Sequence, residues 1–175
     1  MRIFNLLIFF TFGILIACSN KTPKVEPPIN DKVSESSLVV ANKYLVRSEE
    51  ENIVDFVKRY GWQMKQSGTG LRYVIDYKGE GPLVQYGNVV TIAYTLRLLT
   101  GDVVASSDEN GLKQFVSGKG GVEAGLEEGI KLMRKGDQAK FILPSHLAFG
   151  LMGDGDKIPP RASLVYEVEL VKIQQ

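Results

Sequence analysis

From Trp62 onward, apolar and polar positions mostly follow a period of two. Val90, Ile92, Tyr94, Leu96 and Leu98 alternate with Thr91, Ala93, Thr95 and Arg97, the period of a strand with one buried face. The same period runs through Ser163 to Ile173, where Leu164, Tyr166, Val168 and Leu170 alternate against Glu167 and Glu169. Gln138 to Leu143, Val103 to Ala105, Leu71 to Tyr77 and Trp62 to Gln66 complete the predicted strands. Turns fall at Gly68-Thr69-Gly70, at Lys78-Gly79-Glu80-Gly81-Pro82 and at Thr100-Gly101-Asp102. One stretch breaks the period. Between Gly121 and Met133, Leu126, Ile130 and Met133 recur at i, i+4 and i+7 with Leu132 beside them, while Glu127, Glu128 and Lys131 fall opposite. This predicts one short amphipathic helix, stopped by Arg134-Lys135-Gly136. The sum is an α+β fold: an antiparallel half-roll of five to six strands wrapped on one short helix, whose first turn would floor a cleft.

The first third of the chain follows other rules. Arg2 precedes an apolar run from Ile3 to Ala17 that fits the h-region of a secretory signal. As a helix that run would reach only ~22 Å, short of a ~30 Å hydrocarbon core. It ends in Leu15-Ile16-Ala17-Cys18, similar to the lipobox of bacterial lipoproteins, in which the cysteine is lipidated. Residues 1–17 are therefore read as a lipoprotein signal peptide. Cys18 becomes a membrane anchor, and residues 18–37, rich in Pro, Lys, Glu and Ser, form a flexible tether. An uncleaved anchor or a buried cysteine are the alternatives at Cys18. The chain is expected in the bacterial cell envelope, facing the periplasm. Ser19 after Cys18 favours the outer membrane over the inner.

Residues 38–61 read as a helical arm. Ile53, Phe56, Val57 and Tyr60 mark one face, Ser48 and Glu51 make a capping box, and Gly61 is a stop. Leu38, Ala41 and Leu45 either extend this helix upstream or form a separate turn. The arm either pairs with a second copy through residues 38–60 or covers its own domain, which spans 62–175.

Composition removes several chemistries. A formal net charge of +1 spread along the chain gives no nucleic-acid footprint. One cysteine and one histidine, Cys18 and His146, exclude an internal disulfide and supply no His/Cys zinc set. No cofactor or metal is expected. Gly118-Lys119-Gly120-Gly121 before a helix invites an anion, yet no Ser or Thr follows the lysine and the dinucleotide spacing is absent. Asp154-Gly155-Asp156 lacks the glutamate of a calcium loop and reads as a turn. His146 has no matching nucleophile.

Tyr94, Val104, Phe115, Val122, Leu126, Phe149, Ile158 and Tyr166 would line an apolar hollow if the helix crosses the sheet; a pure core role is the alternative. Tyr94-Thr95, Gly101 through Ser107, Gly125-Leu126-Glu127-Glu128-Gly129, Ala148-Phe149-Gly150, Ile158-Pro159-Pro160 and Leu164 through Leu170 together resemble the FKBP-type peptidyl-prolyl cis-trans isomerases. They do so in order and with family-like spacing from about Gly81 to Ile173. The anchor, the arm and Thr69 through Tyr73 further resemble lipid-anchored bacterial members, the gliding-motility-associated lipoprotein isomerase of Bacteroidetes among them. The resemblance implies a rotamase acting on proline-containing polypeptides and assisting the folding of exported proteins. A non-catalytic chaperone or binding module on the same fold is the alternative. It places Tyr94, Val104, Phe149 and Tyr166 in the catalytic cleft, with Phe115, Val122, Glu123, Leu126 and Ile158 binding substrate, and gives the Glu123 backbone N–H a substrate carbonyl to hold. Leu126 stands where tryptophan is frequent, Ala105 where aspartate is, Phe149 where tyrosine is, and Glu123 where isoleucine is.

Overall fold

The computed structural model describes residues 35–175. The expected signal peptide, Cys18 and the tether up to residue 34 lie outside the described residues. A long helix, α1 (Glu35–Tyr60), comes first, followed by β1 (Lys65–Gln66), β2 (Arg72–Asp76), β3 (Val89–Leu98) and β4 (Val103–Ser106). Then come α2 (Ser107–Asn110), β5 (Lys113–Val116), α3 (Ala124–Ile130), β6 (Gln138–Leu143) and β7 (Leu164–Gln174). All seven strands form one antiparallel sheet in the order β1-β2-β6-β7-β3-β4, with β5 also paired to β3.

Alternation in the central strands feeds two cores at once. Phe141, Leu143, Leu164, Tyr166, Leu96 and Ile92 point to the inner face, where α3 lies and where Leu126, Ile130 and Met133 have no exposed surface. Ile142 and Val165, between those residues in sequence, point outward and meet Ile53 and Phe56 of α1. The sheet is thus sandwiched between a short helix and the second half of a long one.

The helix C-terminus follows the sequence closely. Gly61, at φ +64°, donates to the Lys58 carbonyl at 3.1 Å and Trp62 to Val57 at 3.1 Å, a Schellman motif. Its apolar clasp is Trp62, edge-on to Phe56 and tilted against Tyr60, with centroids 5.5 and 5.2 Å apart. Elsewhere α1 departs from expectation. It runs unbroken from Glu35, so Ser48 is mid-helix and caps nothing; Glu49 and Glu50 beside it are turned to partners across the domain. The crossing helix is also shorter, seven residues, because Leu132 and Met133 close it with turn bonds to Gly129 and Ile130. The seventh strand is β5, and between Trp62 and Gln66 only two residues pair, since Trp62 and Met64 are spent against α1.

Candidate functional site

The site grows from the contact of α3 with the sheet. Gly125 and Gly129 face β6: a Cβ at Gly125 would stand 2.5 Å from Leu143 Cγ, and one at Gly129 2.7 Å from Phe141 Cε1. Glycine at this i, i+4 pair lets the helix settle onto the strand and seats Leu126 at the centre. On the sheet, β3 and β7 pair Leu96 with Tyr166 and Tyr94 with Val168. The rings of Tyr94 and Tyr166 thereby approach to 6.0 Å at 45°. Val104 reaches the same cluster through a bulge between β3 and β4. Ile158 arrives on the 144–163 loop, which an Asp154 carboxylate braces by accepting the amides of Asp156 (2.9 Å) and Ile158 (2.7 Å). Those amides hold the Asp154 carboxyl below the usual carboxylate range. Val122 is half-buried against the cluster.

Glu123 precedes α3 and brings polarity into this apolar setting. Its side chain is only 7% exposed. One oxygen accepts the Tyr166 hydroxyl at 2.9 Å, while Oε2 is enclosed without a hydrogen-bond partner. Burial, then the neighbouring Glu123 charge, drive the Tyr166 hydroxyl far above its ordinary range, so it remains a donor. Lys113 of β5 brings its Nζ to 3.7 Å from Oε2 and over the rings of Tyr94 and Tyr166, at 5.4 and 6.0 Å. The Glu123 backbone N–H meets no acceptor among the described residues.

Seven of the eight residues expected to line the hollow share one core: Tyr94, Val104, Phe115, Val122, Leu126, Ile158 and Tyr166. Phe115 is buried in the same core, but pairs with Val90 away from the tyrosines. Lys113, two residues earlier on the same face, takes the place beside them. Phe149 is 37% exposed and stands outside the packed cluster. Leu126 and Tyr166 have no exposed surface, and Lys113 and Glu123 both meet Tyr166 where the sequence predicts an open floor. A cavity of about 500 Å³ lies on the outer face of the sheet, among Val74, Ala93, Lys140 and Glu167.

Two other candidate motifs are occupied from within. The glycine loop turns its Gly118 and Gly120 amides onto the carboxylate of Glu127, at 2.7 and 3.2 Å, filling the cradle an anion would need. His146 Nε2 bonds the Thr69 carbonyl at 2.9 Å, a structural tie. Among the described residues no three His, Cys, Asp or Glu side chains are grouped to hold a metal. Besides Lys113, one more contributor was missed outright. Glu49 of α1 accepts the Ser145 amide (2.6 Å), the Ser145 hydroxyl (3.1 Å) and the Ser163 hydroxyl (2.7 Å), fastening both ends of the loop that carries Phe149 and Ile158. Its sequence signal, an acid on the helix face that also carries Ile53 and Phe56, is legible only once that face is known to meet the sheet.

Comparison with known proteins decides the family. The profile of FKBP-type peptidyl-prolyl cis-trans isomerases matches residues 81–171. The chain belongs to that family. It is 41% identical over 116 residues to the probable FKBP-type isomerase FkpA of Neisseria meningitidis, covering 63% of this chain and 40% of the relative. A probable FKBP-type isomerase of Haemophilus influenzae is 30% identical over 162 residues, covering 87% and 64%. The chain thus spans about two fifths to two thirds of the length of these relatives. Among solved structures, FkpA from Escherichia coli superposes with a TM-score of 0.65 at 29% identity, covering 82% of this chain and 67% of that one. The isomerase from Pseudomonas syringae gives 0.64 at 25%, covering 76% and 96%. The matched region contains α3 with Tyr94, Val104, Val122, Leu126, Ile158 and Tyr166, and also Lys113 and Glu123, which bring charge to them.

Proposed function

We propose that the chain accelerates the cis-trans isomerisation of Xaa-Pro bonds in exported polypeptides. The observation that carries this reading is the unpaired Glu123 amide at the edge of a cluster of tyrosine and aliphatic side chains. Rotation about a peptide bond faces a barrier of ~18–20 kcal/mol, and unaided X–Pro isomerisation takes tens to hundreds of seconds. The planar imide is the more dipolar state, and water favours it; the twisted state has lost that resonance. A ring laid between Tyr94, Tyr166, Val104 and Ile158 leaves water behind, while the Glu123 N–H holds a flanking carbonyl as the bond turns. Each tenfold in rate needs about 1.4 kcal/mol of preferential stabilisation, and no nucleophile is required.

The test exploits the Glu123 backbone. Its φ of −59° already suits proline, so Glu123→Pro deletes the donor with little local strain, whereas Glu123→Ala keeps it. In a coupled assay with an Xaa-Pro peptide, Glu123→Pro should lose about tenfold or more in kcat/KM relative to Glu123→Ala, as expected for one lost transition-state hydrogen bond. Equal rates for the two variants would refute the role of the amide. Wild-type protein no faster than buffer would leave a non-catalytic binding module as the reading.

The envelope setting belongs to the same proposal. It is supported by the apolar run ending at Cys18 and by the proline-rich stretch that follows, which fit a lipid-anchored, periplasm-facing isomerase of the outer membrane, of the gliding-motility-associated type. Metabolic labelling with a lipid precursor, lost in Cys18→Ser, tests it. The arm supports a second copy as partner through its first half: Leu38, Val40, Tyr44 and Val46 are more than half exposed, while Ile53 and Phe56 are committed to the sheet. Sedimentation of the chain before and after Val40→Glu and Tyr44→Glu should show a dimer reduced to a monomer.

A further inference from the structure

We propose that the Glu123 carboxylate is a specificity-determining acceptor, selecting polypeptides that carry a lysine or arginine side chain beside the proline, and that Lys113 occupies this acceptor in the free protein. The inference rests on the isomerase reading for the location of the substrate and adds to it the chemistry of the flanking residue.

Glu123 is half satisfied. Oε1 holds the Tyr166 hydroxyl at 2.9 Å, but Oε2 is enclosed with no hydrogen bond at all. A charged oxygen withdrawn from water calls for a donor. The nearest cation, Lys113 Nζ, stops at 3.7 Å, within ion-pair range but beyond a hydrogen bond. Lys113 is otherwise held only by the faces of Tyr94 and Tyr166 at 5.4 and 6.0 Å, and 30% of its side chain is exposed. A flexible four-carbon stem with three long contacts and a route to water is readily displaced. Glu123, at 7% exposed, has no such route.

A proline ring lying on the two tyrosines needs the space that the Lys113 ammonium now covers. When Lys113 swings outward it regains water, but Glu123 is left with a buried, singly bonded charge, the unfavourable half of a broken pair. The incoming polypeptide determines how far that is repaired. A cationic side chain next to the proline supplies both the charge and the missing donor. A neutral apolar one supplies neither, and a carboxylate adds repulsion. The other cation near the rim, Lys157, is engaged on the Val104 carbonyl at 3.2 Å and does not reach Glu123. Arginine gains further from stacking on the tyrosine faces that Lys113 vacates.

The experiment compares peptides identical except for Lys, Arg, Leu or Glu on either side of the proline, using the full chain. Affinity is read by NMR titration and turnover by line-shape exchange in the same samples. Wild type should bind the best cationic peptide about tenfold more tightly than its acidic counterpart. Glu123→Gln, isosteric and neutral, should bring that ratio close to one. Lys113→Met, which removes the internal competitor, should raise it at least threefold, and keeps the test available if Glu123→Gln does not fold. A wild-type ratio near one, or a ratio unchanged in both variants, overturns the proposal. Selective binding without accelerated exchange upholds it and overturns the isomerase reading instead.

Discussion

Three adjacent glutamates on α1 offer a controlled measurement of what ties the arm to the site. Glu49, Glu50 and Glu51 share a residue type, a helix and a charge, and differ only in what they face. Glu49 accepts one amide and two hydroxyls from Ser145 and Ser163, which are 5% and 6% exposed. Glu50 pairs with Arg72 and keeps 45% of its side chain exposed. Glu51 pairs with Arg47 at 2.8 Å, both well exposed. Replacing each by alanine makes the same change in charge and nearly the same change in helix propensity. Hydrogen bonds to a charged acceptor contribute ~1.5–3 kcal/mol each, but the two serine hydroxyls can rotate to new partners, so Glu49→Ala should cost about 3 kcal/mol in total. Glu50→Ala should cost about 1 kcal/mol and Glu51→Ala about 0.3 kcal/mol. For a domain of this size the first corresponds to a fall in Tm of roughly 10 °C, by the usual entropy of unfolding. Urea denaturation gives the free energies, and hydrogen exchange gives the location: lost protection should concentrate between Ser145 and Ser163. If Glu49→Ala falls within about 0.5 kcal/mol of Glu51→Ala, the carboxylate does not fasten the loop.

Two further outcomes follow from the α3 contact. In Gly129→Ala the new methyl would stand 2.7 and 2.8 Å from the Phe141 ring; overpacking of ~1–3 kcal/mol is only partly offset by about 1 kcal/mol of helix propensity, so denaturant midpoints should fall, and a rise would show that α3 can lift freely. Tyr166 titrates above its ordinary range in the folded protein, so stability is intact below the unfolded value of about 10 and declines as the pH rises past it. Tyr166→Phe should flatten that alkaline limb by up to ~1.4 kcal/mol per pH unit, and an unchanged slope would refute the burial of that hydroxyl.

How much was legible depended on whether a residue's neighbours were near it in sequence. Period two fixes which face of β3, β6 and β7 is buried, and Gly61 marks the end of α1, because each of these is decided within a few residues. Lys113 was not legible, since β5 is four residues long and takes its place from pairing with β3. With that strand unrecognised, Phe115 stood for the position two residues away. Ser48 and Glu51 made a capping box by spacing, but Ile53 and Phe56 pack on the sheet and the helix runs on past Ser48. The sequence argues against an anion at the glycine loop before α3 by the missing Ser or Thr, but only the structure shows Glu127 of the same helix taking its amides.

The departures of Glu123 and Lys113 explain each other. An isolated carboxylate at position 123, facing Tyr166 with no cation nearby, would be a buried charge on the floor of an apolar cluster and strongly destabilising. A lysine alone at 113 would lie over two tyrosines with no carboxylate to meet. Together they make a neutral pair where the two tyrosines meet the start of α3. The loop that closes the other side of that place is anchored to α1 by Glu49, and the exposed first half of α1 is joined to it by unbroken helix. The arm therefore meets the site by two routes, through Glu49 to Ser145 and Ser163, and through Ile53 and Phe56 to Ile142 and Val165 of the sheet on which α3 lies.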